Sequence, residues 1–483
     1  MRGGVAAPES RVGCAVRTFK VFGAHSAPYV LALFFLSFPL SAQPASVRTA
    51  RAGAFESATV SLPGFLVDSA GVTGPGGRPG VALLISGQKD RKGAKTLLFF
   101  DPQRRTLETL AARLHEEVNA VTGFDLNASG ALAPIAGMPG VLFTAGHKLL
   151  ESKAIDLRSV TGSGPGRPWI PVAHTGLLEL LTPAGGALAR GPSFPLPVRA
   201  ERLRWGVRLS SPPVTLLPGE PPLFVAGPQA EGRRRLKTVL LPADGSAPFE
   251  SWSLLPGEER LVTFDRGYLR LDGAPALAAT TFEKIGVFAK KRLRLFLLGR
   301  DRSRKGSAPS LAVETDCPLW FRLDSLAADA DGDGRQDLVL AHPGGLRGKE
   351  LLVSAYRSLG GGKFDKDPRR WKLSEQATDW LYGPDLTGDG TPDLLAYVGD
   401  HLFLYPGDPK GARPLAGRPL WSFPVPGAPK KNQQDNDDEA PPDGETLRGR
   451  DLRVLELPGG GRIALARGAQ KDGRTVLTFV ERR

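Results

Sequence analysis

Two thirteen-residue segments constrain the fold of this chain more than any other feature. Residues 329–341 read DADGDGRQDLVLA and residues 385–397 read DLTGDGTPDLLAY. In a shared register they carry oxygen-bearing side chains at relative positions 1, 3, 5 and 9. These are Asp329, Asp331, Asp333 and Asp337 in the first segment, and Asp385, Thr387, Asp389 and Asp393 in the second. Interleaved glycines permit the positive φ angles of a tightly wound loop. Acids spaced this way on a curled backbone converge on one point and repel each other unless a cation sits among them. Hard oxygen ligands in this number suit Ca²⁺, which takes six to eight oxygens. Two calcium sites are therefore expected, with Arg335 and Thr391 at position 7 offering backbone carbonyls. The first loop, with four carboxylates, is expected to bind more tightly than the second, where Thr387 replaces a charged ligand.

An EF-hand opens with the same D-x-D-x-D-G pattern but needs a Glu at position 12 and a following helix. Position 12 is Leu340 in one loop and Ala396 in the other, and each loop leads into a short β-prone apolar run. The EF-hand reading fails. The bland alternative is a pair of solvated acidic turns, and repetition in one register argues against it.

Gly and Pro together make up about a fifth of the chain. Both residues break long helices, so many short strands joined by turns are expected and a helical bundle is excluded. At the N-terminus, Arg2, Arg11, Arg17 and Lys20 precede an apolar run from Tyr29 to Leu40, followed by small residues at Ser41 and Ala42. A basic region, a short apolar core and a small-residue exit describe a secretory signal peptide. The apolar run has 12 residues, too few for a bilayer span of ~20. Cleavage after Ala42 is expected, with Ala45 the alternative, followed by a flexible segment at 43–55 and export to the periplasm, the cell surface or the medium. No later stretch reads as a membrane span. The net charge of +13 would fall to +10 on cleavage. Cys14 would leave with the signal, so Cys317 has no intramolecular partner and is expected to be a small buried hydrophobe.

The two loops begin 56 residues apart, and each is followed by an apolar strand, a turn and a second strand. Such a period calls for a search for solenoids and propellers. Weaker echoes occur at 125–134 (DLNASGALAP) and 270–282 (RLDGAPALAATTF). Trp320, Trp371 and Trp421 lie 51 and 50 residues apart, and Trp205 and Trp252 lie 47 apart, as one repeated outer-strand position would require. The acidic loops, with GGGKF at 360–364, resemble FG-GAP/VCBS repeats of integrin-α-like β-propellers. The resemblance is specific over roughly 320–405. It implies an all-β propeller of four-stranded antiparallel blades over 56–483, with Ca²⁺ held by the ligands named above in two inter-strand loops. A period near 55 over a mature chain of 441 residues gives about eight units. One interval of about 82 residues, from VLFTAG (141–146) to LFVAG (223–227), reads as either one enlarged unit or two compressed ones, and seven units are expected, with eight the alternative. The last strand, 475–480, is expected to pair with 56–63, since closure removes exposed sheet edges. Residues 430–445 (KKNQQDNDDEAPPDGE) lack the apolar side chains to bury a core and are expected to form a disordered acidic insertion.

No nucleophile elbow, HExxH, Walker loop, dinucleotide fingerprint or CxxC occurs in a credible setting. The five histidines of the mature chain are scattered. The expected function is a non-catalytic, calcium-binding interaction module. Its ligand would be a protein or glycan, with anionic ones favoured by the positive charge and nucleic acid disfavoured by export. A monomer is expected. The alternative is a secreted propeller enzyme, a polysaccharide lyase or hydrolase.

Overall fold

Apolar runs such as LVLA, LLAY and IALA are continuous where a half-buried strand would alternate, and such strands need a packing partner on both faces. The computed structural model supplies those partners. It describes residues 47–483 except 89–92, 128, 139–140, 145–146, 152–159, 162–169, 175–176, 185–186, 196–213, 218–222, 232–234, 243–245, 255–259, 264–267, 286–287, 299–310, 317–322, 345–348, 428–451 and 471–473. The signal peptide, Cys317, Trp205, Trp320 and the insertion at 430–445 lie outside the described residues. The chain is all-β, with several antiparallel four-stranded sheets. The helix among the described residues is a single 3-10 turn, Pro75–Gly77, and none is long and apolar enough to cross a membrane.

Three sheets position the acidic loops. The first acidic sheet contains Asp324–Ala328, Asp337–Gly344, Glu350–Tyr356 and Arg369–Leu373 in that order. The second contains Ala377–Tyr382, Leu394–Val398, His401–Tyr405 and Trp421–Pro424. The terminal sheet joins both ends of the described chain: Leu452–Glu456, Arg462–Ala469 and Thr475–Arg482 continue into Phe55–Ser61 and then Arg48–Ala52.

Alternation along each second strand sends side chains into two different cores. Leu338 and Leu340 pack toward the sheet carrying Leu269 and Leu295, while Val339 and Ala341 pack toward the second acidic sheet. Leu394 and Ala396 face back to the first acidic sheet, and Leu395 and Tyr397 face the terminal sheet. Ala464 and Ala466 meet that second acidic sheet, and Ile463 and Leu465 meet the sheet of Val81, Leu83 and Phe100. Each of these sheets is therefore buried between two neighbours.

The last strand pairs antiparallel with Phe55–Ser61, in a register running from Phe55 opposite Arg482 to Ser61 opposite Val476. This is the expected partner. Thr59 and Thr478 bring their hydroxyls to 3.2 Å across the pair. Phe479 stacks on Phe100 of the next sheet with ring centroids 4.2 Å apart. The segment 43–55, expected to be flexible, contains the strand Arg48–Ala52, which adds a fifth strand outside Phe55–Ser61. Its side chains are mostly exposed and basic at two of five positions, as suits a sheet edge.

Eight sheets of three or more strands are present among the described residues, one more than the seven units favoured and equal to the alternative of eight. The reason lies in the enlarged interval. Between VLFTAG and LFVAG a sheet with three strands among the described residues intervenes: Ile170–His174, Leu177–Ala184 and Ala187–Pro195. Trp252, Trp371 and Trp421 all lie on the last strand of their sheets, opposite Lys237, Val353 and Leu404. Of the expected rhythm, the interval from Trp371 to Trp421 joins two outer strands of successive sheets.

Phe479 is 1% exposed and joins the last strand to the core beneath it. Phe479→Ala is expected to destabilise the protein by about 3–5 kcal/mol. Urea unfolding followed by tryptophan fluorescence measures this, and a loss below about 1 kcal/mol would contradict a terminal sheet packed in this way.

Candidate metal centre in the acidic loops

Both acidic loops connect the first strand of a sheet to its second. In the first loop, Asp329 accepts the N–H groups of Gly332 (2.7 Å) and Gly334 (2.9 Å), curling the chain around its carboxylate. In the second, Asp385 accepts those of Gly388 (2.6 Å), Asp389 (3.2 Å) and Gly390 (3.0 Å). The winding needs positive φ at the glycine five residues on, 83° at Gly334 and 87° at Gly390, where an L side chain would be strained. Residues 125–130 repeat the device in another first-to-second-strand connection. There Asp125 accepts the N–H groups of Asn127 (3.2 Å), Ser129 (3.0 Å) and Gly130 (2.6 Å). Although desolvation opposes it, these donors hold the Asp125 carboxyl below the usual carboxylate range. The third loop keeps the curl but lacks the other acids.

Position 9 supports each loop from below. Asp337 is 1% exposed and accepts the N–H groups of Ala330 (3.2 Å) and Ser358 (2.8 Å). Burial pushes its pKa up to about 6; the Ser358 N–H opposes this, and the nearby charges of Asp331 and Asp333 add to it. Asp393, also 1% exposed, accepts the N–H groups of Leu386 (2.7 Å), Thr387 (2.9 Å) and Gly407 (3.0 Å). Burial likewise raises its pKa, with Asp389 contributing in the same direction.

The two loops differ in what they bring together. Asp329, Asp331 and Asp333 place one carboxylate oxygen each within 4.8 Å of one another. The donor set is hard, anionic and compact, and it fits a calcium-sized cation. Arg357, unforeseen from the sequence, lies against two of these acids: Nε is 3.1 Å from Asp331 Oδ2 and Nη2 is 3.3 Å from Asp333 Oδ2. The Arg335 N–H (2.9 Å) is the main influence holding Asp333 below the ordinary carboxylate range, and Arg357 adds to it. In the second loop, Thr387 Oγ1 lies 3.4 Å from both Asp385 Oδ1 and Asp393 Oδ1, linking positions 1, 3 and 9. Asp389 is turned toward Thr391, whose N–H and hydroxyl both donate to it, at 2.9 and 2.6 Å. Among the described residues, the second loop holds no comparable trio of acids.

Arginines from other strands grip both loops through backbone carbonyls. Arg369 donates to Ala330 of the first loop and also to Gly411 (3.0 Å), in the connection between the last two strands of the second acidic sheet. Arg462 donates to the Asp385 carbonyl (2.6 Å), and Arg482 of the last strand donates to that of Thr387. These contacts join neighbouring sheets at the loops. They depend on long-range pairing, as does the approach of Arg357, which the pairing of Leu338 with Tyr356 sets beside residue 337. No local motif announces them.

Comparison with known proteins agrees with this geometry. Residues 329–396 match the FG-GAP-like repeat, beginning on position 1 of the first loop and ending in the strand after the second. That segment is an FG-GAP-like repeat. No curated protein matches the chain significantly. Among solved structures, Hsv2 of Kluyveromyces lactis is similar with a TM-score of 0.37 and 9% identity, over 75% of this chain and 99% of that one. A structure of Hsv2 with a complete loop 6CD gives 0.34 and 9%, over 71% and 93%. Likenesses this slight have no bearing on function.

The hydrogen bonding separates the buried acids that satisfy backbone N–H groups, Asp337 and Asp393, from the more exposed Asp331. Asp337→Ala and Asp393→Ala would each strand buried N–H groups and are expected to cost about 2–4 kcal/mol even in EDTA. Asp331→Ala is expected to change metal-free stability by less than about 1 kcal/mol. Chemical denaturation of the three variants in EDTA checks this ordering, and equal losses in all three would contradict it.

Proposed function

We propose that the mature chain is an exported, calcium-loaded β-propeller that recognises a protein or glycan ligand and performs no chemistry on it. The observation that carries this reading is the convergence of Asp329, Asp331 and Asp333 within 4.8 Å, inside an FG-GAP-like repeat. Successive sheets buried on both faces, and a last strand paired with an early one, support the propeller architecture. The N-terminal basic and apolar pattern supports export.

When bound, calcium would supply charge neutralisation and rigidity. Asp329, Asp331 and Asp333 would hold it in the first loop, with Asp337 below and the Arg335 carbonyl as a further oxygen. In the second loop Asp385, Thr387, Asp389 and Asp393 form a weaker set, with Thr391 as the carbonyl donor. The chain's own residues prepare these positions. Backbone N–H groups fix Asp329 and Asp385, and the arginines engage the Ala330, Asp385 and Thr387 carbonyls, which lie outside the expected ligand set. Stiffened loops at the seams between sheets would keep the recognition surface in one shape. The surplus of basic residues favours anionic glycans or acidic proteins as ligands.

Thermal unfolding with and without EDTA tests the metal reading. One site at a calcium concentration 100-fold above Kd adds about 2.7 kcal/mol, so chelation is expected to lower Tm. Asp331→Ala should remove more of that response than Asp389→Ala. A Tm indifferent to both calcium and EDTA would overturn the assignment.

A further inference from the structure

The first loop carries a cation of its own. Arg357 directly follows the third strand of the first acidic sheet, and its guanidinium spans the acids at positions 3 and 5. The main chain around it is fixed: the Asp365 N–H donates to the Arg357 carbonyl (2.8 Å), and the Ser358 N–H donates to Asp337. The side chain is loose by comparison. It is 60% exposed, while those of Asp331 and Asp333 are 15% and 23% exposed. A planar guanidinium reaching in from solvent can bridge two carboxylates without filling the space between them. Rotation of the side chain alone would release it.

We infer that Arg357 is the exchangeable counter-ion of the first loop. It holds Asp331 and Asp333 together in the metal-free protein, swings into solvent when a divalent cation takes their oxygens, and thereby sets the affinity of that loop. This inference rests on the calcium reading above. Guanidinium and metal compete for the same two carboxylates, so their binding is negatively linked. Whatever Arg357 contributes to the empty loop is subtracted from the apparent affinity for calcium. An ion pair this exposed is weak, so the effect is one of tuning, about two- to fivefold in Kd. Arg462 and Arg482 touch the second loop through carbonyl oxygens, so the same competition does not arise from them.

The test is a titration of CaCl₂ into the full mature chain carrying Asp389→Ala, which weakens the second loop, at fixed ionic strength. Calorimetry and terbium luminescence report binding, and Tm in EDTA reports the empty state. Adding Arg357→Ala is expected to tighten Kd about two- to fivefold while leaving Tm in EDTA unchanged or slightly lower. Arg357→Lys should lie between, and Arg370→Ala, which removes the same charge from the same sheet, should leave Kd unchanged. If Arg357→Ala leaves calcium binding unchanged or weakens it while the parent still binds, the counter-ion role is overturned and the calcium reading stands. The counter-ion role is likewise overturned if Arg370→Ala tightens binding as much as Arg357→Ala. If neither calorimetry nor terbium detects binding with Arg357 present or absent, the calcium reading is overturned and the counter-ion role with it.

Discussion

Strands that are apolar on both faces are the constraint on which the rest of this structure depends. A strand such as Asp337–Gly344, buried along its whole length, is satisfied only when its sheet is enclosed by two others. The alternation of Leu338 and Leu340 with Val339 and Ala341 assigns each residue to one neighbour, and the same logic repeats through Leu394–Tyr397 and Ile463–Ala466. A stack built this way leaves two kinds of exposed material, sheet edges and inter-strand connections. The last strand's pairing with Phe55–Ser61 addresses the former, and the acidic loops belong to the latter.

Those loops show how one aspartate can wind a backbone around its own carboxylate. At Asp329, Asp385 and Asp125 the carboxylate collects backbone N–H groups from the following residues and winds the chain around itself. The difference between them is the cargo. The loop at 329–337 adds acids that converge, the loop at 385–393 exchanges one of them for a threonine hydroxyl, and the loop at 125–130 carries no further acids. The three loops form a graded series on a shared backbone, with the capacity for charge decided by positions 3, 5 and 9.

Much of this was legible in the sequence because it is local. The register of the loops, their glycines and the apolar runs beside them all lie within a few residues, and they lead directly to strand–loop–strand units. The outer-strand positions of Trp371 and Trp421 were legible as a period. Long-range features were not. Arg357, Arg369, Arg462 and Arg482 reach the loops from other strands, and only the strand pairing reveals which arginine meets which acid or carbonyl. The sheet at 170–195 was legible only as the alternative of two compressed units, because its strands carry neither an acidic loop nor a regularly spaced tryptophan. The strand at 48–52 was hidden because an exposed edge strand has no apolar face to advertise it.

The central claim is that the first acidic loop closes around a divalent cation. A crystal structure of the mature protein grown with millimolar calcium, with anomalous scattering measured, tests it most directly. The account predicts an anomalous peak ringed by oxygens of Asp329, Asp331 and Asp333 at about 2.3–2.6 Å, with Arg357 turned away from the acids. Saturating calcium with no peak, and Arg357 still bridging Asp331 and Asp333, would contradict it.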